Sequence, residues 1–308
     1  VTFLSRSARP LRLSLGVFSI VGLLAASPLV ASHAPATPEA PAMVPVPDSL
    51  RGTSRRLTAR FIAPNDGEGL RLVEERFGLE AARTPGVYTV PDSAGYPAFH
   101  YIVMRDFGSK VGARVGEYRV GFWPSERGRD RNDRYGNPIG FIEVTQENQD
   151  LYVSEQFRLR DFVTKNQADV WPKYLVLDER LLDKLELIRS ELTRSGYGAS
   201  RLAVISGFRT PDHNRNARSS GASADSRHQY GDAADVIVDT DGNGRMDDLN
   251  RDGRLTSRDL ALFVEVVERV EKRHPELVGG LGIYRATRTT SGYLHIDSRG
   301  QRVRWGAY

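Results

Sequence analysis

The chain has 308 residues, 40% hydrophobic and 27% charged, enough for one large domain or two ordinary ones and too apolar for wholesale disorder. It has no cysteine, which excludes disulfide frameworks, cysteine zinc sites, iron–sulfur ligation, thiol nucleophiles and lipid attachment through an N-terminal cysteine. The net charge of +4 includes Arg6, Arg9 and Arg12, and residues 1–34 hold no acid, so the remainder is nearly neutral and makes no electrostatic case for nucleic acid.

Residues 1–34 have the layout of a secretory signal peptide: three arginines, apolar Leu13 to Ala26, then small residues at Ala31, Ser32 and Ala34. The competing reading is an uncleaved anchor, because Leu13 to Ala31 approaches the ~20 residues that span a bilayer. Both readings export the rest, so the expected location is periplasmic or extracellular, with no stable membrane span after signal cleavage. Residues 35–52 read as a Pro/Ala-rich linker, extended and mobile. Residues 53–150 read as a small, mainly β accessory domain, with apolar runs at 87–90, 99–104 and 141–144 between Gly/Pro punctuation and no catalytic constellation. The mixed-charge run 125–138 reads as a solvated loop.

Beyond residue 151 the patterns sharpen. Asp178 can cap a helix reaching about Ser195, with Leu181, Leu185, Ile188 and Leu192 on one face and Gly196 as its stop. Leu202 to Ile205 is a short apolar strand. A second helix covers about 257–273, with Leu260, Phe263, Val264, Val267 and Val270 on one side, and strands follow near 281–284, 293–297 and 302–305. Helices first and strands later, without a βαβ rhythm, point to an α+β fold.

Four of the six histidines follow residue 210: His213, His228, His274 and His295. Without cysteine, a tight transition-metal site must use imidazole and carboxylate. Two histidines and one aspartate leave the fourth tetrahedral position for water, the composition of a catalytic zinc site. Taken singly, each histidine also reads as an ordinary polar residue near a turn, and composition cannot bring His228 and His295 together.

The segments SGFRTPDHN (206–214), SRHQYGDAAD (226–235), GGLGIY (279–284) and YLHID (293–297) occur in that order. Together they resemble the zinc D-Ala-D-Ala carboxypeptidases and murein endopeptidases of the M15 peptidase family. The family's S-x-H-x-x-G-x-A-x-D motif is matched by Ser226, His228, Gly231, Ala233 and Asp235, and VSEQFRLRDF (153–162) is similar to the segment before its first helix. The resemblance covers about 151–308. It implies a hedgehog/DD-peptidase-like domain, an antiparallel sheet with helices, and zinc on His228, Asp235 and His295. It also implies that Arg209 holds a substrate carboxylate or the developing oxyanion, against a plain surface ion pair. Ser226 either contacts substrate or caps a turn.

Some relatives place an acid three positions before the last histidine ligand, where this chain has Gly292; others have H-x-D, matched by His295 and Asp297. Residues i and i+2 of a strand share a face, so Asp297 is the expected general base, with orientation of a metal ligand as its alternative role. The expected function is an exported zinc peptidase cutting peptidoglycan stem peptides as a carboxypeptidase or an endopeptidase, working as a monomer. The alternatives are a catalytically inactive peptidoglycan-binding protein and a calcium-dependent adhesion or scaffold module. His/His/Asp sites accept several divalent ions.

Residues 248–259, DLNRDGRLTSRD, follow the twelve-residue oxygen-cage pattern of a dockerin-like calcium loop. Asp248, Asn250 and Asp252 stand at positions 1, 3 and 5, Gly253 at 6, the carbonyl of Arg254 at 7 and Asp259 at 12. The overlapping DTDGNGRMDDLN (239–250) ends in Asn250 and lacks the bidentate carboxylate. The expectation is one structural Ca2+ in 248–259, with 239–247 adding a ligand or a second, weaker ion; the alternative is an Asp/Gly turn without metal.

Overall fold

The computed structural model describes residues 46–92, 97–129, 132–198, 201–288 and 290–306. The expected signal peptide and the linker as far as residue 45 lie outside the described residues. The described part of the 35–52 stretch is packed: Val46 is buried, and Asp48–Arg51 form a 3-10 turn.

The chain then passes through β1 (Ala59–Ile62), α1 (Gly67–Phe77), α2 (Leu79–Arg83), β2 (Gly86–Val90), β3 (Phe99–Val103), β4 (Arg105–Asp106), β5 (Arg114–Val115), β6 (Tyr118–Arg119) and β7 (Gly140–Val144). It continues with α3 (Leu159–Phe162), β8 (Lys173–Leu175), α4 (Glu179–Arg194), β9 (Leu202–Ser206), α5 (Pro211–Ala217), β10 (Ala233–Val238), α6 (Ser257–Arg273), β11 (Gly280–Tyr284), β12 (Tyr293–Asp297) and β13 (Val303–Gly306). This is an α+β arrangement, in which a five-stranded sheet of order β13-β11-β12-β10-β9 carries the functional residues. Among the described residues no helix is long and apolar enough to cross a membrane.

Local chemistry explains the long helices. Asp178 accepts the Arg180 N–H at the start of α4, and Thr256 with Asp259 forms a reciprocal capping box at the start of α6. Leu181, Leu185, Ile188 and Leu192 of α4 pack with Phe263, Val267 and Val270 of α6 in the main core. The early part of the chain is less purely β than its pattern suggests. Asp66 accepts the Gly69 N–H and starts α1, whose acid- and glycine-rich sequence buries Val73 but little else. It covers a small sheet of order β1-β3-β2 over a second cluster that includes Ile62, Phe99 and Tyr101.

Packing crosses residue 150 without interruption, and the described residues from 46 onward belong to one compact unit. Leu57, Ala59, Val120, Trp123 and Phe141 share the main core with Leu181, Val236 and Ile296. Trp123 is fully buried, packs edge-on to Phe107 and tilted against Phe141, and donates its indole N–H to the Gln229 carbonyl at 2.8 Å. The segment before 150 thereby braces the loop that carries His228.

Trp123→Ala removes that ring and its hydrogen bond together. We expect a loss of about 3–5 kcal/mol of stability in denaturant unfolding, seen as an earlier midpoint of a single transition. A change below about 1 kcal/mol, or a separate early transition, would show that the brace is not built as described.

Candidate metal centre

Sheet register assembles the site. Asp235 of β10 stands directly opposite His295 of β12 and, on its other side, opposite Ser206 of β9. His295 stands opposite Gly282 of β11, which stands opposite Trp305 of β13. Directly paired residues project to the same face, so Ser206, Asp235, His295 and Trp305 form one row across the sheet. A Cβ on Gly282 would run into the Trp305 indole, so glycine there lets the indole lie across the row beside His295, with ring centroids 5.0 Å apart.

His228 arrives from outside the sheet, on the 3-10 turn Arg227–Tyr230. Gly231 ends that turn with φ +72, and any side chain there would collide with the Val176 carbonyl. That close approach explains the glycine of the S-x-H-x-x-G pattern.

Three donor atoms converge. His228 Nε2 lies 3.1 Å from His295 Nδ1 and 3.2 Å from Asp235 Oδ1, and His295 Nδ1 lies 3.1 Å from the same oxygen. All three residues are buried. Ligand atoms about 2.0–2.1 Å from a tetrahedral zinc stand roughly 3.3 Å apart, so the nearly equilateral triangle fits such an ion. The outer hydrogen bonds fix the tautomers. His228 Nδ1 faces the Gly207 carbonyl at 2.6 Å and donates to it, leaving Nε2 as a lone-pair donor. His295 Nε2 faces Asp297 Oδ2 at 3.2 Å and donates to it, leaving Nδ1 turned to the centre.

The charges follow from this packing. Burial pushes the Asp235 carboxyl up, but the two imidazoles outweigh it and hold the group well below the usual carboxylate range. Burial lowers His228, with help from the neighbouring His295 and Arg209 charges. Burial also works against a charged His295, but its hydrogen bonds to Asp235 and Asp297 prevail and raise it to about 8.

Asp297 does not occupy a base's position. It is fully buried behind His295, and its carboxylate takes the Gly280 N–H at 2.7 Å, the Arg299 backbone N–H at 3.1 Å and the Arg299 guanidinium. These contacts favour the alternative role, orientation of a metal ligand, over activation of water. The i, i+2 spacing put it on the His295 face, but its oxygens are spent holding that ring. Behind it, fully buried Lys184 donates to the Asp297 carbonyl at 2.7 Å and to Glu271 at 2.6 Å.

Arg209 lines the cavity but is already engaged: it ion-pairs with Asp235 Oδ2 and donates from Nε to Ser206 Oγ at 2.8 Å. Its visible duty is to hold a cluster carboxylate. Ser226 also lines the cavity, precedes the His228 turn and makes no side-chain cap. Gly292 has φ +85 and tight backbone neighbours, which accounts for the missing acid there. The cavity has a volume of about 740 Å³. Residues that pattern reading left without a role also line it: His213, Asp225, Tyr284, Tyr293 and Trp305.

Of the expected calcium ligands, the Asp248, Asn250 and Asp252 side chains gather around the Asp252 amide and hold the loop's own backbone. Asp248 accepts the Asp252 and Gly253 N–H groups, Asn250 the Asp252 N–H, and Asp252 the Arg254 N–H. Arg254 is exposed. Asp259 is fully buried and takes the Leu249, Asn250 and Thr256 N–H groups as part of the α6 cap. Among the described residues the second carboxylate cluster lies one loop earlier, at Asp239, Asp241 and Asp247.

Residues 162–260 match the family model described as Peptidase M15. No curated protein and no solved structure matches the chain. The matched stretch includes His228 and Asp235 and ends before His295, which only the β10–β12 register brings to them.

Replacing Asp297 with Asn separates the two roles weighed for it. As a partner of His295, it should weaken zinc affinity by about 10–100-fold in a chelator competition titration. Unchanged affinity with lost activity would restore it as the base.

Proposed function

We propose that the chain is a zinc-dependent peptidase that hydrolyses peptidoglycan stem peptides. The observation that carries this reading is the buried convergence of His228, Asp235 and His295 on the wall of the cavity. The match of residues 162–260 to the M15 peptidases, which are zinc-dependent, supports the same reaction class. The expected export of the chain agrees with a wall substrate.

When bound, the metal lowers the pKa of its water toward ~7 and polarises a carbonyl. His228, Asp235 and His295 hold it, while the Gly207 carbonyl and Asp297 keep both imidazoles in the coordinating tautomer. Arg209 ion-pairs with Asp235 and keeps it in place. Because Asp297 is occupied by His295, Gly280 and Arg299, His213 on the cavity wall is a second candidate for the proton acceptor. Burial, then the charge of Arg209, push its pKa below the usual histidine value, so it stands neutral at pH 7 and able to accept a proton. Tyr284 and Tyr293 stack at 4.6 Å and, with Trp305, offer an apolar wall for a peptide chain.

The test is digestion of purified peptidoglycan and of a pentapeptide ending in D-Ala-D-Ala, with products identified by mass. The wild type should release a product that His228→Ala does not, and the mass names the bond. No product from either substrate, with zinc retained, would favour a binding protein. His213→Gln should lower kcat by about 10²–10⁴-fold with zinc content unchanged; a wild-type kcat would remove His213 from the mechanism.

A further inference from the structure

The carboxylate cluster at Asp239, Asp241 and Asp247 lies outside the histidine site and plays no part in the reading above. Its carboxylate oxygens lie within 4.8 Å of one another. Hydrogen bonds explain only part of it. Asp239 takes Arg201 Nη1 at 2.9 Å and the Gly244 N–H at 3.2 Å on Oδ2, Asp241 takes the Asn243 N–H at 3.1 Å and its Nδ2 at 2.8 Å, and Asp247 takes the Thr240 N–H at 2.9 Å. Asp239 is 1% exposed, yet its Oδ1 is buried with no hydrogen-bond partner. Arg201 meets only Oδ2, so the bare Oδ1 beside two further carboxylates is left unfavourably buried unless a second cation sits against it.

We propose that the loop 239–247 binds a hard divalent cation of the calcium class. The side-chain donors are all oxygen, with no imidazole or thiol, which suits calcium and disfavours zinc. The spacing adds the amide oxygen of Asn243 and the carbonyl of Arg245 at alternate positions of the same cage. Side-chain oxygens of both loops accept backbone N–H groups, so what assigns the ion to 239–247 is the gathering of three carboxylates around the bare Asp239 oxygen.

The position of the loop gives the ion a structural consequence. Asp239 immediately follows β10, the strand of Asp235, and Asp247 N–H returns to the Val238 carbonyl at 2.8 Å. Met246 N–H donates to Ser291 Oγ at 2.8 Å, just before β12, the strand of His295. A filled loop ties together the exit of one ligand strand and the entry of the other.

Calcium is titrated by calorimetry into the full, chelator-treated chain after zinc is restored, with a melting curve at each calcium concentration. The wild type should take up about one calcium and melt higher as calcium rises. Asp241→Ala removes an exposed ligand and should weaken binding by at least ~10-fold, as should the near-isosteric Asp247→Asn, while Asp252→Ala should bind as the wild type does. No heat and no melting shift at millimolar calcium would overturn the proposal. So would loss of binding in Asp252→Ala with Asp241→Ala unaffected.

Discussion

The antiparallel pairing of β10 with β12 is the constraint on which the site depends. Asp235 and His295 are 60 residues apart in sequence and become direct neighbours only because that register is held. A slip of β12 by one residue would turn His295 to the opposite face and leave Asp235 and His228 without their third partner. Much of the surrounding structure secures the register. Val236, Leu294 and Ile296 anchor the strands in the main core, and α4 and α6 pack together in that same core. Gly282 and Trp305 extend the row to the far edge of the sheet.

Behind that row, buried polar groups do what an apolar core could not. Asp297 gathers backbone and guanidinium donors and presents its charge to one edge of the His295 ring. Lys184 and Glu271 secure the strand end beneath it. Burial pushes the Asp297 carboxyl up, but His295 and Arg299 overcome this and hold it well below the usual carboxylate range. A group so firmly ionised and so fully satisfied suits holding a ligand better than moving a proton. Arg209 does similar work on Asp235 from the cavity side.

The contrast between what pattern reading reaches and what it misses follows the range of the interactions. α4 and α6 were legible because caps and apolar periodicity are local: Asp178 and Thr256 stand where the helices begin. His228, Gly231 and Asp235 were legible as a motif because the turn and the strand that follow it are close in sequence. His295 rested on resemblance alone, since no local feature reveals a strand partner. The choice between two roles for Asp297 was not legible, because spacing fixes a face but not which donors occupy the carboxylate. α1 was missed because GEGLRLVEERF is mostly polar and packs only one narrow edge on the small sheet. The calcium-type loops show the same limit: both carry the pattern and both turn side-chain oxygens onto backbone, and only folding shows three carboxylates gathered at Asp239, Asp241 and Asp247.

X-ray absorption at the zinc edge of the purified, zinc-loaded chain tests most directly whether the sheet row and the His228 turn make one metal centre. The account predicts nitrogen and oxygen neighbours at about 2.0–2.1 Å, with the outer scattering of two imidazoles in the wild type and of one in His295→Ala. Failure to retain zinc, or an imidazole signal that His295→Ala leaves unchanged, would contradict it.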